Sequence, residues 1–66
     1  MDIRFNGKTL TVKEELTLGQ LILEKGLNPN TVIVEYNNEL VKQEHWAQIV
    51  LKENDTLEVL RFVGGG

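Results

Sequence analysis

Asn6-Gly7 is the feature that most narrows what this chain can become. It lies between two short runs that alternate apolar and polar residues. Before it, Met1, Ile3 and Phe5 alternate with Asp2, Arg4 and Asn6; after it, Leu10 and Val12 alternate with Thr9, Thr11 and Lys13. A period of two is the mark of a half-buried strand. Asn-Gly tolerates positive φ at both central positions of a two-residue hairpin turn. Residues 1–12 therefore read as a β-hairpin with one apolar face. A lone hairpin is at best marginally stable in water, so the rest of the chain has to supply a cover for that face.

The cover is a helix. Thr17 is an N-cap, and Gln20 three residues later completes a Thr-x-x-Gln capping box. Leu18, Leu21 and Ile22 fall on one helical face, while Leu23 lies off it and is expected to be partly buried. Gly26 ends the helix as the residue after its C-cap, with Leu27 packing back over the last turn. The helix is thus expected over Thr17–Lys25. Asn28-Pro29-Asn30 is a turn. The β-branched stretch Thr31–Asn37 reads as a strand, Asn37-Asn38 as a turn and Glu39–Val41 as a short strand. "KQEHWAQ" has little periodicity and reads as a loop with one helical turn. "IVL", Ile49 to Leu51, is too short to place. Lys52–Asp55 is a polar turn, and Thr56–Val63 is the last strand.

The order β-β-α-β-β-β calls for a mixed sheet packed on one side of a single helix, in the α+β class. Setting the last strand beside the first, in parallel, lets the intervening chain form one long crossover on the helix side. This is a β-grasp arrangement. Residues 1–63 form the domain, and Gly64–Gly66 form a flexible C-terminal glycine tail.

Composition closes off several functions. In 66 residues there is no cysteine and one histidine, which leaves no disulfide, no thiolate and no Cys- or His-rich metal site. A net charge of −3, with seven basic residues spread among ten acidic ones, argues against nucleic-acid binding. No basic-then-apolar leader opens the chain and no apolar run is long enough to span a membrane, so the expected location is the cytoplasm. His45, alone in "EHWAQ", reads as a structural or solvated residue. Glu14, Glu15 and the other carboxylates read as solvated positions. No glycine-rich phosphate loop is present, because Gly19 stands alone within the helix. No catalytic constellation emerges and no metal site is expected. Trp46 fits either the core or a partner contact.

The last strand and the glycines after it say more. Leu57, Val59, Arg61 and Val63 share one face; Glu58, Leu60 and Phe62 share the other. With Leu57 and Val59 toward the helix, Leu60 and Phe62 point to the open side of the sheet as candidates for partner docking. The alternative is that residues 42–51 cover them. The three terminal glycines have no Cβ atoms, so Gly64 and Gly65 can thread a narrow slot in another protein. They would deliver the α-carboxylate of Gly66, which is ionised at neutral pH. A merely inert terminus is the competing reading.

The stretches "IRFNGK", "TLGQLILEKG", "VIVEYNNELV", "HWAQIVL" and "DTLEVLRFVGGG" together resemble the ThiS family. These are ubiquitin-like sulfur carriers of thiamin biosynthesis, and the likeness runs essentially the whole length of the chain. It implies a ubiquitin-like β-grasp fold and a carrier rather than an enzyme. It implies that Gly66 is adenylated by a ubiquitin-activating-like adenylyltransferase of the ThiF type that uses ATP. Sulfur from a donor such as a cysteine desulfurase then converts Gly66 to a thiocarboxylate. The thiocarboxylate in turn supplies a thiazole synthase of the ThiG type. The carrier itself is expected to bind no cofactor. Two relatives of the same fold stand beside this reading: a ubiquitin-like modifier joined to lysines through Gly66, and the small subunit of molybdopterin synthase. The latter is typically longer and often ends in an Ala-Gly-Gly type tail.

Overall fold

A computed structural model describes residues 1–61. The elements are β1 (Asp2–Phe5), β2 (Lys8–Thr11), α1 (Leu18–Glu24), a 3-10 turn (Pro29–Thr31), β3 (Val32–Tyr36), β4 (Glu39–Val41), a 3-10 helix (Gln43–Gln48) and β5 (Thr56–Arg61). Among the described residues the strands form one five-stranded sheet in the order β2-β1-β5-β3-β4. β5 runs parallel to β1 and antiparallel to β3. This is the mixed β-grasp sheet expected from the element order.

The hairpin forms where Asn6-Gly7 places it. Phe5 faces Lys8 across the turn, and both turn residues have positive φ, 51° for Asn6 and 83° for Gly7. Asn37 and Asn38, at 50° and 72°, close the β3–β4 hairpin in the same way. The helix is capped as its sequence requires. Thr17 Oγ1 accepts from the Gln20 amide at 3.1 Å, and Gln20 Oε1 accepts from the Thr17 amide at 2.9 Å. At the other end Leu27 N donates to Ile22 O and Gly26 N to Leu23 O, a Schellman motif made possible by Gly26 at φ 74°.

The core lies between helix and sheet. Leu18, Leu21 and Ile22 of α1 pack with Ile3, Val32, Val34, Leu57 and Val59 of the sheet and with Leu16, Trp46 and Leu51 from the connections. Burial of each Leu or Ile side chain contributes about 1.5–3 kcal/mol against the entropy of ordering so short a chain. Leu23 is not partly buried as its position off the apolar face suggests. It is 64% exposed, because the 3-10 helix beside α1 packs nearer Gly19 and leaves Leu23 uncovered.

Two segments without a clear sequence pattern are ordered by tertiary contacts. "QEHWAQ" is a six-residue 3-10 helix, longer than one turn, held against α1 through Trp46. "IVL" pairs with the chain that leads into α1, through Leu18 N, at the first residue of the helix, to Ile49 O at 2.9 Å and Leu51 N to Leu16 O at 2.8 Å. The expectation that β5 continues to Val63 concerns residues 62 and 63, which lie outside the described residues.

Candidate functional site

β5 is the central strand, and it is gripped from both sides. On the β1 side the Asn6 side chain acts as a substitute peptide. Its Oδ1 accepts from Val59 N at 2.7 Å and its Nδ2 donates to Val59 O at 3.3 Å. On the β3 side Asn37 Oδ1 accepts from Thr56 N at 2.8 Å, and its Nδ2 donates to Asp55 at 3.1 Å. The first asparagine of each hairpin turn thus serves two purposes: it adopts positive φ, and it pins part of β5. Position and register of Arg61, the last described residue, are set by these clamps and by the Val32–Arg61 pairing with β3.

Alternation along β5 divides its side chains as the sequence implies. Leu57 and Val59 are buried toward α1; Glu58 and Leu60 stand on the open face, Leu60 at 63% exposure. Leu60 lies directly opposite Ile33 of β3, and Leu40 of β4, 69% exposed, is diagonal to Ile33 on the same face. These three residues make an apolar patch on the side of the sheet away from the helix. Residues 42–51 do not cover it, since the 3-10 helix packs on α1 instead. Glu35 and Glu58 face each other across β3 and β5 at the edge of the patch. Like charges directly opposed in a sheet destabilise it, so this pair contributes nothing to the fold.

Phe62, Gly64, Gly65 and Gly66, the remaining candidates, lie outside the described residues. His45 is exposed at the surface of the 3-10 helix. Trp46, which the sequence left between core and interface, is 4% exposed and donates from Nε1 to Val41 O at 3.3 Å; it is a core residue.

One expectation is corrected. The carboxylates do not all face solvent: Asp55 is buried at 7% exposure. It accepts from the Tyr36 hydroxyl at 2.8 Å, the Lys52 amide at 2.7 Å and Asn37 Nδ2. A polar turn hides this role because the partners Tyr36 and Asn37 are distant in sequence and meet Asp55 only after β3 and β5 pair. Tyr36 is correspondingly perturbed. Burial, then the hydrogen bond and negative charge of Asp55, push its phenol up to about 12. This network sits at the start of β5, opposite the end that leads toward the glycines, and is structural. Among the described residues, no helix is long and apolar enough to cross a membrane.

The fold and its sequence have close counterparts. The model of the ThiS family matches residues 3–66. The sulfur carrier protein ThiS of Bacillus subtilis is 34% identical over 65 residues, covering 97% of this chain and 98% of that one. The crystal structure of the thiamine biosynthesis protein ThiS from Geobacter metallireducens superposes with a TM-score of 0.86 at 33% identity over the full length of both chains. A thiazole synthase of Magnetococcus marinus is 36% identical across all 66 residues, and the chain spans only 20% of that protein's length. A match over nearly the whole chain, a ubiquitin-like β-grasp sheet in the same arrangement and a relative of similar length agree, and the chain belongs to the ThiS family.

Proposed function

We propose that this chain carries sulfur on its terminal carboxylate for assembly of the thiazole ring. On this reading residues 1–63 are the domain that partners grip, and Gly64–Gly66 are the thread that enters their active sites. A carboxylate is a poor electrophile. An oxygen of the Gly66 carboxylate attacks the α-phosphorus of ATP on an activating enzyme; pyrophosphate leaves, and an acyl adenylate remains. The outer sulfur of a persulfide on a donor such as a cysteine desulfurase attacks the acyl carbon and displaces AMP, giving an acyl disulfide; a thiol then attacks the donor-side sulfur, leaves with it as a disulfide and releases the thiocarboxylate. Thiazole synthase then takes that sulfur. The carrier supplies no acid, base or nucleophilic side chain, so the chemistry belongs to its partners.

The observation that carries this reading is the nearly end-to-end match with the Bacillus subtilis sulfur carrier, taken with the carboxy-terminal glycines of the sequence. The thiazole synthase that contains a segment similar to this whole chain supports the same pathway. The patch of Ile33, Leu40 and Leu60 is the docking face on this reading, with Glu35 and Glu58 ready to receive a basic side chain of the partner, which would relieve their mutual repulsion. Phe62, which lies outside the described residues, is a docking candidate from sequence alternation alone.

Intact-mass analysis of the protein recovered from thiamin-starved cells tests the proposal. Exchange of one oxygen for sulfur at Gly66 is the expected result. Conjugates linked through Gly66 to lysines of other proteins would establish a modifier instead, and a chain that stays unaltered would leave only an interaction module.

A further inference from the structure

The end of the molecule from which β5 runs on toward the glycines is basic, although the protein as a whole is acidic. β1 ends there, β2 begins there, α1 ends there and β3 begins there. Arg4, Lys8, Lys25 and Arg61, four of the chain's seven basic residues, belong to these element ends; of its ten acidic residues only Glu24 does. Among the described residues none of the four cations forms an ion pair. Arg4 is occupied locally, its Nη2 donating to Gly7 O at 2.9 Å.

Between two of the others lies a groove of about 250 Å³. Its walls and floor include Phe5, Leu27, Val32 and Val59, and Lys25 and Arg61 stand at its rim. The groove exists because α1 is only seven residues long and turns away at Gly26, which leaves the last helix-facing part of β5 without a helix above it. Lys25 is held over the groove: its Nζ lies 5.3 Å from the centroid of the Phe5 ring, within cation–π range. The Asn6 clamp on Val59 keeps the floor from shifting.

We infer that this groove is a second recognition site, on the opposite face of the sheet from Leu60, for an acidic segment of the activating enzyme that carries an apolar side chain. The inference rests on the sulfur-carrier reading. A carboxylate of the segment would sit between Lys25 and Arg61, and its apolar side chain would fill the space over Phe5, Leu27 and Val59. Two features select this occupant. The rim is cationic and the floor apolar, which suits neither a bare phosphate nor a purely aliphatic ligand. Arg61 is also the root of the tail. Five residues of sequence follow it, and a chain of that length can span at most on the order of 17 Å, so an enzyme that takes up Gly66 has to close over this end.

The test compares wild type with Lys25→Glu/Arg61→Glu and with Arg61→Glu alone. Each is titrated by calorimetry into the purified activating enzyme at low salt and at about 0.5 M salt, where screening shortens the reach of surface charge. Pyrophosphate release is followed in parallel. The double variant is expected to bind at least tenfold more weakly at low salt, to lose most of that difference at high salt, and to show a raised KM with kcat unchanged. Arg61→Glu lies away from the helix cap and is expected to move the affinity in the same direction. Wild-type affinity in either variant would overturn the inference. So would a loss confined to kcat, or a deficit that salt leaves intact. In all of these cases the sulfur-carrier reading survives, provided wild type releases pyrophosphate. If wild type neither binds nor releases pyrophosphate, that reading falls and takes this inference with it.

Discussion

Asp55 is a buried carboxylate that accepts three hydrogen bonds in a segment that reads as a solvated turn. Its most testable partner is Tyr36. The phenol of Tyr36 is raised above its unfolded value near 10 to about 12, first by burial and then by Asp55. The folded state therefore holds that proton more tightly than the unfolded state does. The stability this contributes is full below about pH 10 and is lost as the pH rises through about 12. Denaturant titrations from pH 7 to 12 are expected to show a decline in wild type above pH 10 that is shallower in Tyr36→Phe. At pH 7 the variant is expected to be less stable by about 1.5 kcal/mol, the low end for one hydrogen bond to a charged group, because Asp55 keeps its other donors. Equal slopes would remove Tyr36 from the alkaline transition. At this scale Asn6 and Asn37 were legible as turn residues, because positive φ is a local demand. Their grip on β5 was not, because the amide groups they bond are more than fifteen residues away in the chain.

A seven-residue helix is too short to persist by propensity, so its ends matter. The caps were the most legible part of the fold: Thr17, Gln20 and Gly26 satisfy orphan backbone groups within a few residues of themselves, and that chemistry is written locally. Thr17→Ala leaves the Gln20 amide without its partner and is expected to cost about 1 kcal/mol, seen as a lower urea midpoint at unchanged slope. An unchanged midpoint would mean that packing alone holds α1. The 3-10 helix and the Ile49–Val50–Leu51 segment show the opposite case. Neither has a period that favours one structure, and each takes its form from what it touches: Trp46 against α1, and Leu51 against Leu16.

At the scale of the whole molecule, one sheet separates two faces of different character. The helix face is the core. The open face carries Ile33, Leu40 and Leu60 beside Glu35 and Glu58. Leu60→Asp is expected to leave the thermal midpoint within a few degrees of wild type, because the side chain is already 63% exposed, and to weaken binding to the activating enzyme at least tenfold. Unchanged affinity would remove this face from the interface. The groove at the Lys25–Arg61 end is independent of that result, since it lies on the other side of the sheet.

By itself the sequence determined the five strands, the helix with its caps, the hairpin turns, the parallel placement of β5 beside β1, and the division of β5 into a core face and an open face. Each of these comes from spacing along the chain, from backbone preference, or from the need to cover the hairpin. Its likeness to the ThiS family, together with the carboxy-terminal glycines, pointed to the carrier role. The tertiary structure decided what depends on residues far apart meeting in space. It buried Asp55 and Trp46, turned asparagine side chains into clamps on β5, completed the open patch with Ile33 and Leu40, and opened a cationic groove where a short helix stops before the central strand does. No run of neighbouring residues encodes these, because each arises from register and from the relative lengths of elements brought together by folding.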